Sequence, residues 1–285
     1  MSEFYQLKSA VIRTSGLVIR GYEYGDGRCM YTVLTKDYGR IAVDTSSSKG
    51  KYFNKTPISV GSYMTFILKK QGKMHWIKES EYNDHLICAK NSLEAASLTY
   101  YILDVAYELT EDGEDCSDIL AITYNSLYAL SYKNDIPIEQ IKAAFEIKVM
   151  AVSGYMPTVT KCEECGKLDS SMYLDVMNGG VICSDCLRRR EKEIPYVDMD
   201  DQDYHAPTSI LCPLTADTIC AMYYVICAPF SKMLSFRLDD KEELRILNKA
   251  TSTYLINHLE RNFESLDYYN SVREEIERSE KNSLQ

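Results

Sequence analysis

The sequence predicts an α+β protein, with a small N-terminal β-barrel followed by a mainly helical domain that carries an inserted four-cysteine knuckle. Two features of the pattern predict this order. Residues 1–80 hold short runs of β-branched and aromatic residues bounded by turn residues. Near residue 82 the pattern changes, and the apolar positions step by three and four instead. A third observation is the pair of Cys-x-x-Cys motifs within 158–190, at Cys162, Cys165, Cys183 and Cys186.

The barrel strands come first. SGLVIRGYEY, RCMYTVLTK and GRIAVDTS read as strands, and Asp37-Tyr38-Gly39 turns the second into the third. SYMTFILKK and KMHWIKE flank a hairpin turn at Gln71-Gly72. In SYMTFILKK, Met64, Phe66 and Leu68 share one face while Tyr63, Thr65 and Ile67 share the other. About five strands in so short a stretch make the OB-fold the five-stranded candidate. Periodicity leaves an SH3-like barrel open.

Helices follow. Leu86, Ala89, Leu93, Ala96, Tyr100, Leu103 and Tyr107 mark one face of a long helix that EDGED (111–115) breaks. Ser117 caps a second helix with Ile119, Leu120, Tyr124 and Leu127 inward. Pro137 suits the first turn of a third, which buries Ile138, Ile141, Phe145, Val149 and Val152 and ends at Gly154 and Pro157. After the cysteines, VDMDDQD (197–203) reads as a polar linker. Thr215 caps a helix that runs through Cys227 and stops at Pro229. Asp239-Asp240 starts another, to about Asn262, and the tail REEIERSEKNSLQ is expected to be solvated or frayed.

The cysteine spacing is C-x2-C-x17-C-x2-C, which fits a zinc site. Each Cys-x-x-Cys turn aims two thiolates at one point, and the hairpin between them returns the second pair to the first. Four thiolates close a tetrahedral shell and leave no position for substrate, so the Zn2+ is expected to be structural, one per chain. Four unliganded buried thiols are the first alternative and a redox dithiol the second, although redox Cys-x-x-Cys pairs seldom come in matched doubles. The other six cysteines (Cys29, Cys88, Cys116, Cys212, Cys220, Cys227) are scattered, several in apolar runs, and are expected to be buried free thiols.

Charge separates the two regions. Residues 1–80 carry 13 Lys+Arg against 6 Asp+Glu, while the rest of the chain brings the total to 32 against 42. The first region can sit on phosphates; the second repels them. The knuckle shares the unfavourable sign, with Glu163, Glu164, Asp169, Asp175 and Asp185 against Lys167 between its cysteines. A zinc-ribbon regulator reading duplex sequence is therefore the alternative function and not the first. RRR at 188–190 reads as a solvated helix end. The four histidines (His75, His85, His205, His258) stand in no hydrolase or metalloprotease motif, no phosphate loop opens a helix, and no catalytic residues are predicted. Residues 219–230, the most apolar late run, are too short to cross a bilayer. With no secretory start at the N-terminus, a cytoplasmic, nucleoid-associated protein is expected.

The order of parts resembles the RecO family of bacterial recombination mediators. TSGLVIRGYEYGDGRCMYTVLTKDYGRIAV (14–43) is similar to that family's opening barrel strands, including the turn from Thr35 to Arg40. FEIKVMAVSGYMPTVTKCEECG (145–166) and GGVICSDC (179–186) resemble the helix, Gly-x-x-Pro and two knuckles, and YLINHLERNFESLDYY (254–269) the closing helix. The resemblance implies an N-terminal OB-fold over 1–80 that binds DNA and a helical domain over 81–285. It implies a non-enzymatic mediator that binds single- and double-stranded DNA, engages the acidic tail of the single-strand DNA-binding protein, anneals strands, and acts with RecR to load RecA. Lys36 and Arg40, flanking the Asp37-Tyr38-Gly39 turn, match the family's basic hairpin; Arg20, Lys49, Lys51 and Lys55 are the next candidates for DNA contact. The loop DTSSSKGKYFNK is less basic than the family's usual loop. The acidic remainder leaves Lys148 and Arg245 as cations that an acidic tail could meet on the helices.

Overall fold

The computed structural model describes residues 10–25, 28–45, 57–86, 92–168, 171–193 and 209–283. Contacts divide the chain into two compact units, one from residues 1–135 with 263–285 and the other from 136–262.

The first unit opens with strands β1 (Ala10–Tyr24), β2 (Arg28–Thr35), β3 (Gly39–Asp44), β4 (Ser62–Gln71) and β5 (Met74–His85). They close a barrel in the order β1-β2-β3-β5-β4, with β4 returning to β1. All neighbours are antiparallel except β3 and β5, which meet in parallel at Val43↔His75 and Asp44↔Trp76. The alternation read in β4 holds: Met64, Phe66 and Leu68 are fully buried and join Val18, Val33, Ile41, Val43 and Ile77 in the barrel core. Gly72 takes a positive φ in the two-residue turn between β4 and β5.

β5 runs further than its sequence suggests. It pairs with β4 as far as Ser62↔His85, so residues 82–85 are strand and not helix. Helix α1 (Leu93–Glu108) starts at Ser92, whose hydroxyl accepts from the Ala95 N–H. Leu86 precedes it, and Ala89 lies outside the described residues. The expected inward face is corrected as well. Leu93 and Tyr100 are exposed, while Leu98, Tyr101, Ile102 and Val105 are buried. α1 packs against β1, α2 and α7 from different sides, so a stripe of single period does not describe it.

Helix α2 (Ser117–Tyr132) begins one residue after Cys116, and Asp115 accepts from the Ser117 N–H. Helix α7 (Glu264–Ser283) completes this unit. The tail expected to fray is its second half: it is largely solvated but helical, held where Leu266, Tyr269 and Val272 are buried and Arg273 pairs with Glu94.

The second unit is built on α3 (Ile138–Val152), which is buried from Gln140 to Met150 against α5 and α6. Its charged residues are therefore paired. Lys142 reaches Glu146 at 2.8 Å, and Thr251 donates to the same carboxylate at 2.6 Å. A sheet of order β6-β8-β7-β9 follows: β6 (Thr158–Cys162), β7 (Ser171–Asp175), β8 (Gly180–Cys183) and β9 (Leu211–Thr215). Helix α4 (Ser184–Glu193) continues directly from β8. β9 is absent from the sequence reading. It is a short edge strand interrupted by Pro213, which suppresses its strand signal and is tolerated only at an edge.

Thr215 caps α5 (Ala216–Cys227) through a capping box with Thr218, and Asp240 caps α6 (Lys241–His258). α6 ends a turn earlier than expected, with Glu260 at positive φ just beyond it. The linker 197–203 lies outside the described residues. Among the described residues, no helix is long and apolar enough to cross a membrane.

Candidate functional site

The cysteines come together as their spacing requires. Cys162 ends β6, Cys183 ends β8, and these strands are neighbours in the sheet. Cys165 follows in the turn closed by Gly166 N–H to Cys162 C=O at 2.9 Å, with Gly166 at φ +71°. Cys186 lies in the first turn of α4. All four Sγ atoms lie within 4.8 Å of one another, and Cys165 and Cys183 are 3.8 Å apart. A metal 2.3 Å from each of four tetrahedral sulfurs separates them by about 3.8 Å. The cluster thus has the dimensions of a closed tetrahedral site and can hold a metal ion.

Its electrostatics agree. Burial pushes the Cys162 thiol up, but backbone N–H groups of Cys165, Cys183 and Glu164 outweigh it and bring it down to about 6. Cys186 moves the other way, raised by burial and by hydrogen bonds with the other three sulfurs. Four sulfurs this close ionise together only around a cation. The surroundings are fitted to the turn. A Cβ on Gly180 would collide with the Glu163 carboxylate. Arg188, Arg189 and Arg190 are also engaged within this segment. Arg188 pairs with Asp185, Arg189 donates to the Cys186 sulfur at 2.9 Å, and Arg190 bridges Glu164 and the buried Asp175.

Outside the cluster the thiol expectation needs correction. Cys116 and Cys212 are buried and Cys29 is half-buried, but Cys220 and Cys227 are exposed, and Cys88 lies outside the described residues. The apolar run that holds the exposed pair is a helix with one solvent side, where Cys220, Tyr223 and Cys227 recur every turn.

On the barrel, the predicted basic residues divide. Lys36 is exposed in the β2–β3 turn. Thr35 shapes that turn: its hydroxyl accepts from Tyr38 N–H at 3.1 Å and donates to Gly39 C=O at 2.8 Å. Gly39 has a φ of +64°, and a Cβ there would strike the Glu114 backbone. Arg40 and Arg20 both turn to α1. Arg40 pairs with Asp112 at 2.7 Å and donates to Tyr107 C=O at 2.9 Å. Arg20 pairs with Asp104 at 2.9 Å and lies 3.5 Å over the Tyr107 ring, which Arg40 also faces at 4.5 Å. Lys49, Lys51 and Lys55 lie outside the described residues.

The structure adds basic neighbours that the sequence did not single out. Lys70 sits over the Tyr38 ring at 5.5 Å, which places the β4–β5 turn, with exposed Lys69 and Lys73, beside the β2–β3 turn. Only the hairpin ends in the sequence could have pointed to them. In the second unit, Lys148 is buried and donates to the carbonyls of Val225, Ile226 and Ala228 at the end of α5, and exposed Arg245 pairs with Glu242. Of the histidines, His75 is buried beside Ala42 C=O, and His85 bonds the hydroxyl of Ser62, itself fully buried. His258 packs on the Tyr254 ring at 4.2 Å, and His205 lies outside the described residues.

Comparison with known proteins gives consistent results. Residues 90–199 match the family described as "Recombination protein O C terminal". A protein of Acetivibrio thermocellus named DNA repair protein RecO is 25% identical over 266 residues, covering 92% of this chain and 97% of that one. The DNA repair protein RecO of Alkaliphilus metalliredigens is 25% identical over 263 residues, covering 90% and 98%. That of Thermoanaerobacter is 23% identical over 269 residues, covering 92% and 98%.

Proposed function

We propose that this chain, a relative of the RecO DNA repair proteins, is a recombination mediator that binds DNA through its barrel and carries a structural zinc. The observation that carries the reading is similarity to a DNA repair protein over 92% of the chain. The strand order β1-β2-β3-β5-β4 supports an OB-fold, a scaffold that holds single strands in a basic groove with aromatic platforms. Lys36 with Lys70 and Lys73 makes the primary phosphate contact, beside Tyr38. Arg20 and Arg40 contribute the donors their α1 partners leave over, and Lys49, Lys51 and Lys55 extend the basic surface.

Cys162, Cys165, Cys183 and Cys186 hold the Zn2+. The ion supplies a charge centre that fixes β6, β8 and α4, and the closed sulfur set gives it no substrate position. The role is binding rather than bond-breaking, and the place of action is the chromosome in the cytoplasm. The mediator annealing complementary strands, meeting the single-strand DNA-binding protein, and joining RecR to load RecA completes the reading. Lys148 is held by backbone carbonyls, so an acidic tail must find another cation.

The test is annealing of complementary strands coated with single-strand DNA-binding protein, beside a salt titration of DNA affinity. Acceleration by the protein, with Lys36→Glu weakening binding to every sequence and shallowing the salt slope, is the expected result. A protein that neither binds nor anneals DNA ends this reading.

A further inference from the structure

α2 shows one line of side chains to solvent. Ile119, Leu120, Ile122, Thr123, Ser126, Leu127, Ala129, Leu130 and Ser131 are buried, which leaves Ser117 and Asp118 at the start and Ala121, Tyr124, Asn125, Tyr128 and Tyr132 along the outer side. Tyr128 and Tyr132 are 40% and 46% exposed. Their rings form a ladder: Tyr124 to Tyr128 at 6.2 Å and 24°, then Tyr128 to Tyr132 at 4.9 Å. The ladder is braced at both ends. Tyr124 donates to Asp84 at 2.6 Å and meets the Tyr63 ring of β4 edge-on at 5.2 Å, and Tyr132 donates to His85 C=O. Rings one turn apart on a helix, and already anchored, cost little to order when a flat ligand stacks on them.

The ladder adjoins the basic turn of the barrel. Cys116, just before α2, donates to Thr35 C=O at 3.5 Å, one residue from Lys36. Burial raises the Tyr63 phenol, and the carboxylates of Asp37 and Asp84 add to it. The outer side of β4 continues from Tyr63 through Ile67 and Lys69, flanked by Arg13 and Val11 of β1 and by Trp76, the single tryptophan, on β5. Glu79 and Glu81 stand on the β5 side, so an anion is favoured along β1 and β4.

We infer that the Tyr124–Tyr128–Tyr132 ladder is a stacking track for bases of single-stranded DNA leaving the Lys36 turn. The inference rests on the DNA-binding reading above and names a site on α2, outside the barrel. Two observations favour a nucleic acid over a protein occupant. The solvent side of α2 has flat rings and no exposed aliphatic side chain to interdigitate, and its N-terminal end meets the turn that carries exposed Lys36.

The test compares full-length protein with Tyr128→Ala/Tyr132→Ala and Tyr128→Phe/Tyr132→Phe. The probes are a fluorescent deoxythymidine oligonucleotide of about 16 nucleotides and a duplex of equal length. The alanine pair is expected to weaken single-strand binding by roughly 10-fold or more. Duplex affinity and melting temperature should hold, and the phenylalanine pair should bind as the unaltered protein does. A bromodeoxyuridine-substituted strand should crosslink to α2. If the alanine pair binds single strands normally while Lys36→Glu still weakens them, the ladder is not a DNA track and its rings serve a protein partner or the fold alone. The barrel reading then survives. An equal loss on single strand and duplex also overturns the track. Unaltered protein that binds no single strand removes the functional reading and this inference with it.

Discussion

The barrel and the cysteine sheet are both small β-structures, yet they close differently. The barrel closes by pairing β4 with β1 and, among the described residues, fills the interior with eight buried apolar side chains, Phe66 and Met64 among them. The cysteine sheet leaves Pro213 on an open edge and gathers its strands around four sulfurs within 4.8 Å. Their arginines differ in a parallel way. Those of the cysteine segment turn onto its own carboxylates and sulfur, Arg20 of the barrel turns onto α1, and Arg40 onto α1 and Asp112 beyond it. In both places positive charge in the sequence is not positive charge on offer. The exposed lysines of the barrel turns are the exception.

Breaking the metal set should have the largest effect. Cys162→Ser with Cys165→Ser, or a strong chelator, is expected to remove the bound metal. The β6–β8 amides should lose hydrogen-exchange protection, because metal binding supplies folding energy of about 10 kcal/mol in small sites. Amides of β1–β5 should keep theirs. Equal loss there would mean that the cysteine site stabilises more than its own sheet.

Phe66→Ala is the converse experiment. Removing a fully buried ring from the barrel should cost about 3–5 kcal/mol in chemical denaturation and leave metal content unchanged.

A smaller contrast separates arginine from lysine. Arg40→Ala gives up a part-buried ion pair and a ring contact and should lower stability by about 1–2 kcal/mol. Lys36→Ala should leave the melting temperature in place and weaken DNA binding more than Arg40→Ala does. The reverse ranking on DNA would return Arg40 to the centre of the interface.

The smallest expected effect depends on pH. His75 sits where β3 and β5 close the barrel, and burial, with Lys70 adding to it, holds its pKa below the ordinary 6.5 despite a bond to Ala42 C=O. Above 6.5 the ring is neutral in both folded and unfolded chains. As pH falls below that value the unfolded chain takes up a proton that the fold resists, so stability falls until the folded pKa is passed. His75→Phe should flatten barrel stability from pH 6.5 downward, read as denaturation midpoint against pH. An unchanged slope would assign the acid sensitivity to other groups.

Local patterns were legible in the sequence, and partners distant along the chain were not. The alternation of Met64, Phe66 and Leu68 and the spacing of the four cysteines each lie within one short stretch, where geometry follows from residue order. The engagement of Arg40 by Asp112 and of Arg20 by Asp104 depends on how α1 packs beside the barrel. Sequence shows the sign of such charges and not their neighbours. Tyr124 was expected to face inward with Ile119, Leu120 and Leu127, but it stands on the outer side with Tyr128 and Tyr132, because in a helix apolar on nearly every side nothing marks the side left to solvent. The start of α1 was misplaced because Leu86 fits the helical step while β4 pairing keeps the preceding residues extended.

The return of α7 to the first unit has a consequence for how the chain is made. The barrel emerges from the ribosome early, but Phe263, which meets the Tyr101 ring, and Arg273, which pairs with Glu94, come only after residues 136–262. At roughly 5–20 residues per second that interval lasts between about 6 and 25 s. The unit begun first is thus finished last. During the wait, the side of α1 destined for α7 is uncovered on the nascent chain, a window in which a holding chaperone has something to hold.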